Sequence, residues 1–386
     1  MKNAKQMAAA AAVAAVALAA TGCTSTAGAD DASATGRVAV AYEGGIAVLD
    51  SESLEILGEF DTEEFTRLNS AGDGRNVMVT TSAGFQVLDT GAPALTDLVF
   101  EAATAGHVVS HAGKTVLFDD GTGDTTIYET DALDPTGAEL PESTVVPADY
   151  PHHGVSVELS DGTLLTTIGD EESRSGAFAL NADGEEIARS EDCPGVHGEG
   201  TVKGEAVVFG CEDGALIYHD GEFDKLDAPD EFGRMGNAYV SETSELIVGD
   251  YKNDPDAEGL LLDKVTLIDT AEHTYRVVDL PEGVKYTYRD IVRGPEENAY
   301  ILSVDGSIHV LDPATGDITD EYPVIGAWEE PAEWQSPHPT FKVNGDTGYV
   351  TEPAKNTVHA VDLTTGEITA SVELEHAPNE LAVATD

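Results

Sequence analysis

Short alternating runs of apolar and polar residues, broken every five to seven positions by turn residues, dominate this chain. Segments such as GIAVLDSESLEILGEF, GFQVLDTGAPALTDLVF, VTLIDTAEHTYRVVDL and TVHAVDLTTGEITASVEL place apolar side chains at every second position, then a tight polar turn, then a second alternating run. That period predicts antiparallel hairpins with one face buried, and the Asp-Gly, Thr-Gly and Asn-Gly pairs supply the turns. No segment keeps a helical period, so the chain reads as all-β.

The hairpins repeat. Four further phrases, TTIYETDALDPTGAEL, GAFALNADGEEIARS, GALIYHDGEFDKLD and SIHVLDPATGDITDEYP, fit the same template, making eight. Their spacing of roughly 35 to 55 residues is that of four-stranded propeller blades. Ahead of each phrase lies the pair of strands expected innermost, starting near Arg67, His107, His153, His197, Arg234, Tyr288, His338 and His376. The first phrase has no innermost strand before it, and the last innermost segment, HAPNELAVATD, has no outer strands after it. A C-terminal strand completing the first blade would close the ring and leave no open sheet edge. We therefore expect a β-propeller of eight blades over residues 37–386, or of seven if GALIYHDGEFDKLD does not form a full blade.

The N-terminus departs from the pattern. Lys2 and Lys5 precede an Ala/Val/Leu run from Met7 to Ala20, followed by Thr21-Gly22-Cys23. The run is too short for a comfortable membrane span and reads as an export signal, residues 1–22, with a lipobox-like end. Cys23 is the expected lipidation site and mature N-terminus, anchoring the protein to the membrane at the cell surface or in the periplasm. Residues 23–36, small and polar, form the expected tether. The remaining cysteines, Cys193 and Cys211, are an even pair in an exported chain, which favours a disulfide bracing the loop that carries His197.

Charge narrows the partners. With 73 acidic and 19 basic residues the formal net charge is -54, which argues against nucleic acid. The acidic residues are spread along the whole chain, as they are on a surface kept soluble by charge, and they also gather cations. In this setting His107, His153 and His197 stand out, because they occupy equivalent points in three consecutive repeats and so face one channel mouth from adjacent blades. Converging neutral imidazoles suit zinc, which takes four ligands in a tetrahedron. Glu199 and His152 are the candidates for the fourth position, and His338 and His376 approach from further round the ring. His111, His219, His273, His309 and His359 fall at strand ends or on outer strands, where exposed polar residues are common. Asp119, Asp120 and Asp170 follow strands in the manner of turn residues. Protons should compete with zinc for ordinary imidazoles below about pH 6.5.

The phrases TAGHVVSHAGKTVLFDDGTG, PHHGVSVELSDGTLL, CPGVHGEG with VVFGCEDG, and the closing HAPNELAV resemble the AztD family of zinc metallochaperones over most of the exported region. The resemblance implies a propeller that holds zinc outside the cytoplasm and hands it to the substrate-binding protein of a zinc ABC transporter. It also implies a non-enzymatic role, and we expect the protein to act as a monomer. Family members often carry a His-rich N-terminal segment; here TSTAGADDASATG contains no histidine. Two other classes fit a propeller: a zinc-dependent hydrolase, with Glu199 as base, and a module that recognises protein or glycan through Tyr288, Trp328 and Trp334.

Overall fold

The computed structural model describes residues 36–385. The expected export signal, Cys23 and the expected tether up to residue 35 lie outside the described residues. Eight sheets, each of four antiparallel strands and that of blade 5 with the short strand Gly233–Arg234 added in parallel, follow one another along the chain, giving the eight-bladed propeller that the hairpin repeats predict. Innermost strands begin at Leu68, Ala105, Ser156, His197, Ala238, Ile291, Phe341 and Pro378, each within four residues of the starting point read from the sequence.

Blade 1 is built from both ends of the described chain. Its strands Val38–Tyr42, Gly45–Leu49 and Ile56–Asp61 are completed on the channel side by Pro378–Val383. The register pairs Val38 with Val383, Ala39 with Ala382 and Val40 with Leu381. All six residues of Pro378–Val383 are buried, because this innermost strand has blades 8 and 2 on either side of it. The phrase GALIYHDGEFDKLD forms two full strands, Asp213–His219 and Glu222–Asp227, so blade 5 is complete and the seven-blade alternative is set aside.

The core consists of apolar layers between neighbouring blades. Alternate residues of each central strand pack against the next sheet, as Val207, Phe209 and Leu216 of blade 5 pack against Val157, Leu165 and Ala177 of blade 4. Cys193 and Cys211 form a disulfide within this layer, with both residues fully buried. The bridge ties the segment entering blade 5 to its second strand, four residues before His197.

Candidate metal site

The three histidines meet. Their ring centroids lie 5.0 Å (His107 to His153), 5.1 Å (His153 to His197) and 5.8 Å (His107 to His197) apart, and one ring nitrogen from each falls within 4.8 Å of the others. They stand at the inner edges of blades 3, 4 and 5, on the wall of a 580 Å³ cavity. His153 is exposed and the other two are half-buried.

Local backbone irregularity aims two of them. In blade 3 the register breaks between Ala105 and Val108, and in blade 5 between His197 and Glu199. Such bulges re-aim side chains at the rim of a sheet. The blade 5 bulge depends on Gly198, whose φ of +66° is left-handed and whose absent Cβ would stand 2.6 Å from the Gly236 oxygen. At Gly106 a Cβ would meet Asp120 Oδ1 at 2.3 Å, so glycine is what lets the Asp120 carboxylate approach.

Each Nδ1 faces an acceptor that cannot donate in return. His107 Nδ1 donates to the Gly154 carbonyl at 2.9 Å, His197 Nδ1 to the Gly236 carbonyl at 2.5 Å, and His153 Nδ1 to Asp120 Oδ2 at 2.6 Å. These partners place the proton on Nδ1 and leave the lone pair on Nε2 in all three rings, the state a metal needs. The Nε2 atoms of His153 and His197 are 3.1 Å apart, so while both rings are neutral two lone pairs point at each other. Two ligands at zinc–nitrogen bonds of about 2.05 Å in a tetrahedron lie about 3.3 Å apart. A cation among the three nitrogens turns this repulsion into coordination.

Asp120 is therefore more than a turn residue. Asp119 and Asp170 do serve their turns, accepting from the backbone of Gly121 and of Glu172 and Ser173 respectively. Asp120 reaches instead to His153 and, at 3.4 Å, to the Gly154 N–H. Its sequence signal is the Gly106 approach, which becomes visible only once the strands are paired. Partners of this kind are worth about 10–100-fold in metal affinity. We expect Asp120→Ala to weaken zinc binding by that factor with the fold intact, measured by competition with a chromophoric chelator.

The fourth-ligand candidates do not join the trio. His152 is buried, edge-on to Phe118, with Nδ1 on the Tyr150 carbonyl and Nε2 on Thr167 Oγ1, so both nitrogens are engaged in blade 4. Glu199 lies beyond the bulge and lines a second, inner cavity of 270 Å³ that it shares with His107. Its Oε2 is buried without a hydrogen-bond partner, and burial pushes the carboxyl up to about 7. His338 is buried with Nδ1 on the Ser336 carbonyl, and His376 stacks on Tyr42. His309, expected to be exposed, is buried in blade 7 beside Asp305 and Glu321, a second group with metal-ligand spacing.

Burial and the other two imidazoles hold His107 well below the usual histidine range. Burial brings His197 to about 3, despite its bond to the Gly236 carbonyl. For both rings the disfavoured form is the protonated one, so each remains neutral, and competent for metal, as pH falls through 6.5. This departs from the behaviour of ordinary imidazoles. Three such rings would lose zinc affinity by about a thousandfold per pH unit below 6.5, one decade for each proton taken up. We expect a loss of at most about tenfold per unit between pH 6.5 and 5, read from competition titrations across that range.

No family model matches the chain. The zinc chaperone AztD of Citrobacter koseri is 24% identical over 305 residues, covering 75% of this chain and 68% of that protein. The structure of apo AztD from the same organism superposes with a TM-score of 0.74 at 21% identity, over 90% of this chain and 97% of that one. A second crystal structure of C. koseri AztD gives 0.72 over 90% and 96%. Dihydro-heme d1 dehydrogenase NirN, at 11% identity, shares the fold with a TM-score of 0.59 over 90% of this chain and 75% of its own. The resemblance to AztD read from the sequence thus holds in both sequence and fold.

Proposed function

We propose that this protein is a zinc metallochaperone that binds zinc through His107, His153 and His197 and passes it to the substrate-binding protein of a zinc ABC transporter. The observation that carries the reading is the convergence of Nε2 lone pairs, 3.1 Å apart in His153 and His197, with every Nδ1 tied to an acceptor. Likeness to AztD supplies the metal and the delivery role.

The site suits transfer. Zinc here has three protein ligands in reach and an open side toward the cavity, so a receiver's ligand can enter before a chaperone ligand leaves. His153, whose side chain is 44% exposed, is the imidazole an incoming protein meets first. Export, lipidation at Cys23 and tethering by residues 23–36 would hold the chaperone beside its membrane transporter. The buried Cys193–Cys211 disulfide fits an oxidising compartment.

The test has two stages. Metal-free protein is titrated with zinc against a competing chelator, for the wild type and for each histidine changed to alanine. Zinc-loaded protein is then mixed with the receiver. Tight stoichiometric binding that needs the trio, and transfer faster than free dissociation, are the expected results. Absence of such binding overturns the proposal, and hydrolytic turnover by the zinc-loaded protein would assign it to the enzymes, with Glu199 the candidate base.

A further inference from the structure

Cationic residues are scarce in this chain, 19 against 73 carboxylates, but the two stacked cavities at the histidines reverse the ratio. Arg67, Arg234 and Lys252 line the outer cavity, and Arg289 and Lys342 join Arg67 in the inner one. Against these five stand three carboxylates, Asp250, Glu199 and Glu380. Two of the three are committed. Asp250 accepts from the Gly236 and Asn237 N–H groups and from Asn237 Nδ2, and Glu380 faces Arg289 at 3.0 Å.

The blade order gives the cations a position. Going round the mouth, the equivalent points of blades 2 to 6 are Arg67, His107, His153, His197 and Arg234, so a guanidinium brackets the trio on each side. Arg234 makes no side-chain hydrogen bond or ion pair among the described residues. Arg67 Nε is buried without a hydrogen bond, and the nearest carboxylate, Glu380, is 3.9 Å away. Arg67 also lies over the Trp334 ring, and its side chain is 41% exposed. Guanidinium groups carry fixed forks of donors that match carboxylates, and Arg67 and Arg234 line the cavity with donors to spare.

Three neutral imidazoles supply no negative charge to zinc itself, the Asp120 carboxylate stands only behind His153, and Arg67 and Arg234 add like charge beside the metal. Glu199, the carboxylate that could offset this, does not stand among the ligand atoms. A ligand that is negative, reaches zinc and engages guanidinium answers both deficits. We propose that zinc is carried here together with a small di- or tricarboxylate, one carboxylate filling the open position on the metal and another held by Arg67 and Arg234. The outer cavity, at 580 Å³, has room for such an anion. This inference rests on the zinc reading above and adds the co-ligand to it. The same carboxylate chemistry from an acidic side chain of the receiver is the competing source.

The test uses the protein alone, in chloride-free buffer with free zinc held constant by a metal buffer, with and without malonate and with acetate for comparison. We expect malonate to raise apparent zinc affinity by about tenfold or more, the scale of coupling between linked ligands, and acetate to do less. In cobalt-substituted protein malonate should change the visible spectrum. An Arg67→Gln/Arg234→Gln variant should bind zinc and lose the malonate effect, its folding checked by circular dichroism. If wild-type affinity and the cobalt spectrum are indifferent to malonate, the inference is overturned, and the fourth ligand comes from the receiver or from water. That wild-type comparison decides the matter even where the variant does not fold. A full malonate effect in a folded double variant also overturns it. Failure to bind zinc in either buffer overturns the zinc reading itself, a distinguishable result.

Discussion

Removal of residues 378–386 should leave a chain that does not hold the folded ring. The strand Pro378–Val383 is buried along its whole length and supplies the channel-side partner of Val38–Tyr42. Without it, Leu381 and Val383 are lost from the layer between blades 8 and 1, at about 1.5–3 kcal/mol each for burial, and Ala382 from the layer between blades 1 and 2. Val38, Val40 and Ala41 are left as an unpaired apolar edge, which invites aggregation. Arg289 loses the Asn379 carbonyl and side chain that accept from its Nη1, and its ion pair with Glu380, so a buried guanidinium keeps the oxygens of Trp334, Tyr288 and Thr340 but has no carboxylate beside it. Desolvated charges deprived of a partner cost about 3–5 kcal/mol. Together these losses match the 5–15 kcal/mol that separates most folded domains from their unfolded chains. Leu381→Ala, a milder cut at the same place, should cost about 2–5 kcal/mol in denaturant unfolding. Truncated protein that unfolds at the wild-type denaturant midpoint would show that the ring does not depend on closure at blade 1.

Closure was legible in the sequence because it rests on a counting mismatch, an opening phrase without an inner strand and a closing strand without outer ones. The trio was legible for a related reason, since positions repeated along a circular array become neighbours in space. What the sequence does not carry is direction within a blade. His152 and His153 are adjacent letters, and only the packing of His152 against Phe118 and Thr167 shows which one faces the cavity. Glu199 follows His197 by two residues, but the Gly198 bulge lets the two serve different cavities. Asp120 reads as one carboxylate in an Asp-Asp-Gly turn until strand pairing brings it beneath His153. The cationic bracket is hidden for the opposite reason, because a net charge of -54 averages away five positive residues placed together.

Alanine at any one of His107, His153 and His197 should reduce zinc affinity by about 100- to 1,000-fold. Four-ligand zinc sites are worth about 10–16 kcal/mol, hence roughly 3–4 kcal/mol per ligand. The loss should be smallest for His153→Ala, which frees the Asp120 carboxylate to approach the metal in place of the lost ring. Stability separates this reading from a wet channel lined by histidines. While both rings of the metal-free protein are neutral the facing Nε2 lone pairs of His153 and His197 repel, so His197→Ala relieves a repulsion at the cost of a half-buried ring and its bond to the Gly236 carbonyl. We expect its metal-free unfolding midpoint to stay close to that of the wild type. Free zinc at 1,000 times the dissociation constant should stabilise the wild type by about 4 kcal/mol, and the variant at the same zinc concentration by far less. Histidines that merely pack would give the reverse: a lower midpoint for the metal-free variant, and no zinc-dependent shift in either protein. Thermal unfolding of the two proteins with and without zinc distinguishes these outcomes, because a ligand that binds only the folded state must raise its midpoint.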